Sequence, residues 1–395
     1  MSLSTPDPDL ALDLDLEPAR SPTARPRLAP AALALSALLS AACATAARPP
    51  ATAPGGAPPA IQFPEQEVTV SKLDLELEGK SDEELFAVGM TAYEAKDWPR
   101  AAAAFARIAD RFPGSRREAT ALFDAGLAYQ QMGEWRLALE RFQALARGWE
   151  GPDALEASFR IAECHYRLDD LAAAHATLAE IAGREELGPA ERVRALAQLG
   201  VVELEDGRAE QAEATLRRAL AAWSSIDEAQ RRGLDPYYAA QAEYHLGEAY
   251  RGSFLSVNVD PSAAGEERLQ AALEDKSNLL LRAQGHYLRA IRMGDARWAV
   301  ASGYRVGELY DAFRTQLLEA PLPPGLDEEH AQAYRDELRR RVRVLADKAV
   351  SAYRAALEYA TRQGVNDLQF LGDAQEALRR LQEAVGTDGE AKAEM

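Results

Sequence analysis

The feature that most constrains this chain is a small residue that recurs every 36 to 38 positions. The series consists of Gly89, Gly126, Ala162 and Gly200. Each member is followed twelve positions later by an alanine, and these alanines are Ala101, Ala138, Ala174 and Ala212. Two helix backbones come close only where the residue between them is small. The spacing therefore predicts tandem helical hairpins, in which each small residue faces the alanine of its partner helix.

The clearest copy of the pattern also fixes the large residues around the small ones. It consists of Leu122, Ala125, Gly126, Tyr129, Ala138, Phe142 and Leu145. This pattern resembles the tetratricopeptide repeat. The resemblance implies an α-solenoid that binds other proteins and brings no catalytic residues. A generic alanine-rich bundle also places alanine at helical spacing, but it does not keep a period of 36 to 38 residues.

The same pattern continues after residue 235, where insertions at 251–270 and 314–330 break its period. Two further hairpins are predicted around Gly247 with Tyr287 and around Gly307 with Tyr353. The predicted fold is thus all-α, a tetratricopeptide-type solenoid of about six helical hairpins plus a closing helix. The predicted segments are a leader with signal peptide (1–42), a disordered tether (43–80), four regular hairpins (81–225), irregular hairpins with the closing helix (235–385) and a disordered tail (386–395).

The segment before the repeats indicates export. Three arginines precede an apolar run at 28–42, which is too short to span a bilayer as a helix. Cys43 follows small residues and resembles the lipidated cysteine of bacterial lipoproteins, although Ser40 stands where that family usually has leucine. Ala44, in place of an aspartate, favours the outer membrane, with the chain on the periplasmic side. The alternatives are a plain secretory signal, with the protein free in the periplasm, and a disordered leader on a cytoplasmic protein.

A partner is expected on the concave face, which the first helix of each hairpin lines. The predicted contact residues are Phe86, Met90, Tyr93, Phe123, Leu127, Gln130, Phe159, Tyr166, Tyr244 and Tyr304. The alternative is that these aromatic residues pack between neighbouring repeats. The two insertions form a second candidate surface, because irregular additions to a repeat often carry a specific function. Its apolar residues are Phe254, Leu255, Val257 and Pro321 to Pro324.

Composition and motifs argue against several other functions. The net charge of −18 repels nucleic acid and offers no basic patch for it. The five histidines are dispersed, and the sequence contains no phosphate-binding loop or nucleophile elbow. Cys164 and His165 are neighbours on a helix and point about 100° apart, so we interpret Cys164 as a small buried hydrophobic residue. No enzyme activity, metal, cofactor or small-molecule substrate is predicted.

Two stretches carry a closer resemblance to envelope proteins. Residues 85–145 are similar to the repeats of periplasmic division coordinators and of barrel-assembly lipoproteins. Residues 283–364 resemble the tetratricopeptide lipoproteins of the adventurous gliding-motility machinery. The resemblance implies a scaffold in a multiprotein envelope machine, with other envelope proteins as partners and a membrane contact through lipidated Cys43. The alternatives are a cytoplasmic adaptor and an accessory activator of a cell-wall enzyme.

Overall fold

The computed structural model describes residues 72–259, 266–323, 325–366 and 368–390, and within these ranges it contains helices and no strand. The helices are α1 (Lys72–Leu77), α2 (Asp82–Glu94), α3 (Trp98–Arg111), α4 (Glu118–Gln131), α5 (Trp135–Gly148), α6 (Pro152–Arg167), α7 (Leu171–Gly183), α8 (Pro189–Glu205), α9 (Ala209–Ser225), α10 (Glu228–Arg231), α11 (Tyr237–Ser256), α12 (Glu266–Met293), α13 (Ala296–Glu319), α14 (Glu328–Gln363) and α15 (Phe370–Glu390). The chain divides into two compact units; α1 belongs to one, and α2 to α15 belong to the other, which includes residues from Gly79 onward.

Six antiparallel helix pairs and a closing helix build the second unit. The pairs are α2–α3, α4–α5, α6–α7, α8–α9, α11–α12 and α13–α14, followed by α15. The short α10 lies between the fourth and fifth pairs. This arrangement confirms the predicted fold, a tetratricopeptide-type solenoid of six hairpins, the last two of them irregular.

Each recurring glycine lies against a large side chain of its partner helix. A Cβ atom placed on Gly89 would stand 2.5 Å from the ring of Phe105, and one on Gly126 would stand 2.6 Å from the ring of Phe142. The sequence predicts that these glycines face an alanine twelve positions later, but the atoms nearest to such a Cβ belong to another residue. The nearest neighbour is the bulky residue sixteen positions later, so the glycine provides the space that an aromatic ring occupies.

The irregular hairpins use the same contact across a longer connection. A Cβ on Gly247 would stand 2.5 Å from the ring of Tyr287, and one on Gly307 would stand 2.6 Å from the ring of Tyr353. All four residues are those that the sequence pairs in its fifth and sixth hairpins. The packing rule therefore holds although the connections between these residues are much longer.

Helices extend into both insertions, while residues 257–259 and 320–323 lie outside helices. α11 continues to Ser256, and α12 and α14 reach 28 and 36 residues. Asp327 caps α14 by accepting the His330 backbone N–H at 2.9 Å. α15 begins at Phe370 and continues to Glu390, past residue 386 where the sequence predicts a disordered tail.

The first hairpin begins at a capping box. The Glu84 backbone N–H donates to Ser81 Oγ at 3.2 Å, and the Ser81 N–H donates to Glu84 Oε2 at 2.8 Å. The leader, Cys43 and the tether as far as residue 71 lie outside the described residues. None of the helices in the described part of the chain is long and apolar enough to cross a bilayer.

Candidate functional site

The ten predicted contact residues differ widely in exposure. Five are buried, namely Leu127, Gln130, Phe159, Tyr244 and Tyr304. Four are half-buried, namely Phe86, Tyr93, Phe123 and Tyr166. Met90 alone among the ten is exposed, at 39%. Half of the predicted contact residues are therefore packed inside the array, and partner binding by the other five stays a prediction.

The half-buried aromatic residues explain this outcome. Phe86 meets the ring of Phe105 edge to face with centroids 5.6 Å apart, and Phe123 meets Phe142 in the same way at 5.6 Å. The Phe86 and Phe123 rings of the first helices thus cover Phe105 and Phe142, the rings that lie against the recurring glycines. Phe86 and Phe123 thus pack within their own hairpins, rather than between neighbouring repeats as the alternative interpretation proposes.

A ladder of buried and half-buried polar side chains joins α4, α6 and α8. Gln130 Nε2 donates to Glu163 Oε2 at 3.1 Å, and Arg160 Nη1 donates to the same oxygen at 3.2 Å. Arg160 Nε also donates to Glu156 at 3.2 Å, and Arg194 donates two hydrogen bonds to Glu156, at 2.5 and 3.1 Å. We call these five residues the polar ladder. It ties three successive hairpins together along their first helices.

Burial and charge act in opposite directions on the two acids of the polar ladder. Burial raises the pKa of Glu163 above its ordinary value, despite the charge of Arg160. Burial also acts to raise the pKa of Glu156, but the Arg194 guanidinium outweighs it and holds that pKa below the ordinary value. The ladder has the character of a structural ion-pair network, since each charge is matched inside it. Its one sequence signal is the polar Gln130 and Glu163 at positions where the other repeats are apolar or aromatic.

The remaining motif candidates have structural roles. Cys164 is fully buried, and burial raises the pKa of its thiol to about 12, which confirms its interpretation as a hydrophobic residue. Within the described ranges, no group of three or more His, Cys, Asp or Glu residues is arranged to hold a metal ion.

An open cavity of about 760 Å³ lies between α11, α13 and α15. We call it the insertion cavity, because residues of both insertions line it, among them Leu255 and Pro321. It coincides with part of the second candidate surface that the sequence predicts. Phe254, Leu309 and Tyr353 contribute apolar wall, and Leu255 is 49% exposed beside them.

Carboxylates surround the insertion cavity. Glu308 accepts from Arg305 at 2.5 Å and from the Tyr304 hydroxyl at 3.0 Å, while Arg380 pairs with Asp311. Burial, and then the charge of Glu308, raises the pKa of Tyr304 well above its ordinary value, so this hydroxyl remains a donor.

Two further acids at the insertion cavity are exposed. Among the described residues, Glu319 and Asp373 form no ion pair. They leave an uncompensated negative charge at the opening of the cavity.

A buried lysine fixes the α11 side of the insertion cavity. Lys276 on α12 is 2% exposed, and its Nζ donates to the Phe254 carbonyl at 2.7 Å and to the Val257 carbonyl at 2.8 Å. The same Nζ lies 4.1 Å from the centroid of the Phe254 ring. Burial lowers the pKa of Lys276 to about 8. The last carbonyls of a helix have no backbone N–H partner within the helix, and Lys276 supplies a donor to them at the end of α11.

Comparison with known proteins places the best-defined repeats at the start of the array. The family described as "Tetratricopeptide repeat" matches residues 85–115 and 120–147, which cover most of the first two hairpins. A search of curated protein sequences found no match.

Several solved structures are similar to the chain at low identity. The apo form of RapI is 11% identical, with a TM-score of 0.41 over 77% of this chain and 97% of that one. A tetratricopeptide repeat protein from Parabacteroides merdae is 13% identical, with a TM-score of 0.36 over 77% and 100%. A Rap protein complexed with Competence and Sporulation Factor is 15% identical, with a TM-score of 0.36 over 78% and 76%.

Proposed function

We propose that this chain is a non-enzymatic scaffold of the bacterial envelope, anchored by a lipid at Cys43 and facing the periplasm from the outer membrane. In this role it holds other envelope proteins in a multiprotein machine of the gliding-motility kind. The observation that carries the scaffold part is the array of six hairpins, with an open cavity between α11, α13 and α15.

The polar side chains of the polar ladder pair with one another between helices, which supports a scaffold rather than a catalyst. In the polar ladder, Glu156 and Glu163 are held by arginine and glutamine side chains on neighbouring first helices. Such paired charges fix the register of neighbouring hairpins and leave no free nucleophile or base among them. A repeat array held in this way presents fixed surfaces to a protein partner.

The sequence of the leader supports the envelope location. Cys43 follows an apolar run and small residues, and a lipid with two or more acyl chains on its thiol and amino group would hold the chain stably at a membrane. The Pro- and Ala-rich stretch after it would space the hairpins from the bilayer. The net charge of −18 makes a covalent anchor more plausible than electrostatic adsorption to anionic lipids.

Metabolic labelling with an alkyne-bearing palmitate tests the anchor. We expect label on the wild-type chain and on Cys164→Ala, and none on Cys43→Ala, because Cys164 is fully buried and Cys43 is the other cysteine of the chain. Membrane fractionation should then place the wild type in the outer membrane and release Cys43→Ala. A wild type without label that stays in the cytosol would contradict the envelope proposal and favour a cytoplasmic adaptor.

A further inference from the structure

We propose that the insertion cavity binds a short basic segment of a partner protein, with apolar side-chain atoms against its walls and a lysine or arginine head at its opening. The proposal rests on the scaffold function and names the chemistry of the partner. It does not depend on the lipid anchor or on the identity of the envelope machine.

The size of the cavity suits such a segment. Its volume of about 760 Å³ lies within the range of roughly 300–1,000 Å³ that is typical of binding pockets in proteins. It lies between α11, α13 and α15 and is open to solvent. A peptide segment can therefore enter without displacing a helix.

The walls supply apolar contact. Leu309 and Tyr353 are buried at the base, and Leu255 stands beside them with 49% of its surface exposed. Covering the apolar surface of an exposed leucine at the edge of a cavity removes it from water and favours binding. The aliphatic stem of a lysine or arginine provides such surface while its charged end remains near water.

The charge at the opening selects a cation. Five acidic and two basic residues line the cavity, and both arginines, Arg251 and Arg380, pair with its acids Glu308 and Asp311. The pairs leave three acids. Glu376 pairs with Arg379 of its own helix, whereas Glu319 and Asp373 are exposed and without an ion pair in the described part of the chain. Complementary charge across an interface selects the partner and speeds its approach. An acidic segment is disfavoured at the same place.

The site is held open by contacts that do not involve a ligand. Tyr304 on α13 stacks on Phe370 of α15, with ring centroids 4.7 Å apart and ring planes inclined by 19°. Lys276 fixes the end of α11 through the Phe254 and Val257 carbonyls. Because the walls are already ordered, a segment that binds there avoids the cost of organising them.

Selection from a library of random peptides displayed on phage tests the proposal on the full-length protein. We expect enriched peptides in which Lys or Arg adjoins Leu, Ile or Val. In fluorescence anisotropy, the selected peptide should bind Glu319→Gln/Asp373→Asn roughly tenfold more weakly than wild type, because two exposed charges are lost. Raising the salt concentration should weaken binding to wild type more than to this variant.

Glu358→Gln is the matched control, because Glu358 is an exposed acid on α14 that does not line the cavity. It should bind the peptide as wild type does. Leu255→Ser provides an independent variant that tests the apolar wall, and it should also weaken binding. All substituted positions are exposed, and circular dichroism should be used to check that each variant is folded.

The proposal is overturned if the selection enriches acidic peptides or no motif. It is also overturned if the selected peptide binds wild type, Glu319→Gln/Asp373→Asn and Leu255→Ser equally. Failure here with intact labelling of Cys43 would remove the cavity as the binding site and leave the envelope scaffold in place. If the peptide binds the cavity of a chain that is unlabelled and cytosolic, the cavity proposal stands and the envelope location fails.

Discussion

The ring of Phe142 occupies the space that Gly126, which has no side chain, leaves between α4 and α5. A Cβ atom on Gly126 would stand 2.6 Å from two carbons of the Phe142 ring, and the ring itself is fully buried. The glycine thus allows an aromatic residue to lie between the two helices of the second hairpin. The same relationship recurs in the first, fifth and sixth hairpins, and with a leucine in the fourth.

Gly126→Ala should therefore overpack the second hairpin. We expect a loss of about 1–3 kcal/mol in the free energy of unfolding, measured by urea denaturation. Adding Phe142→Leu should recover part of the loss, because the smaller side chain gives way to the new methyl group. The control is Gly148→Ala, where a Cβ would meet no atom within 4 Å. If the effects of Gly126→Ala and Phe142→Leu on the free energy of unfolding were additive, the direct contact between these two residues would be contradicted.

The turns inside the regular hairpins have a left-handed residue at an equivalent position. These residues are Lys96, Gly133, Asp169 and Gly207, with φ of 58°, 73°, 62° and 79°. A residue with a side chain is strained in this conformation by about 1–2 kcal/mol. Lys96→Gly should therefore raise the melting temperature and Gly133→Ala should lower it. A decrease for Lys96→Gly would contradict the assignment of strain to the turn.

Asp124 on α4 should make stability depend on pH. Burial raises the pKa of its carboxyl from 3.8 to about 6, so the folded state binds more protons than the unfolded state between these values. The stabilising contribution of this group to the free energy of unfolding is complete below about pH 4 and is lost as the pH rises through about 6. Asp124→Asn should therefore gain stability relative to wild type when the pH increases from 4 to 7.

The urea midpoints of wild type and Asp124→Asn at the two pH values measure this effect. Asp347→Asn is the control, because Asp347 is an exposed aspartate in the middle of α14. A midpoint difference between wild type and Asp124→Asn that does not change with pH would contradict the raised pKa.

Lys276→Met should loosen the end of α11. The substitution removes the donor from the Phe254 and Val257 carbonyls, and a buried polar group without a partner costs about 1–3 kcal/mol. Amide hydrogen exchange should accelerate at residues 254–259, with a lower melting temperature. Arg268→Met removes an exposed cation from the same helix and should change neither quantity. Unchanged exchange in Lys276→Met would show that the lysine is not what closes the helix.

The sequence predicts the hairpins well because a glycine or alanine reports directly on the distance between two backbones. Gly247 and Gly307 identify their hairpins even though the partner tyrosines are 40 and 46 residues away. The partner of each glycine was harder to predict, since alanine and phenylalanine both lie on the buried side of the second helix. The two residues differ only in their position along the second helix, and it is the phenylalanine ring that lies against the glycine.

The contact surface was less predictable, because it depends on how closely successive hairpins pack. Phe123 and Tyr304 hold equivalent places in the repeat, yet the first is half-buried and the second is 8% exposed beneath Phe370. The sequence does indicate the insertions as a candidate surface, but not their helical extension or the buried Lys276. These features depend on contacts between α11, α12, α13 and α15, which no local pattern encodes.

Photocrosslinking in living cells tests the scaffold and its cavity most directly. A benzophenone amino acid replaces Leu255 at the cavity or Leu281, which is 59% exposed on α12 and does not line the cavity. We predict a discrete crosslinked protein from position 255 that is lost when Glu319→Gln and Asp373→Asn are added, and no such product from position 281. The same crosslinks from both positions, or a product from 255 that survives the loss of both acids, would contradict the account.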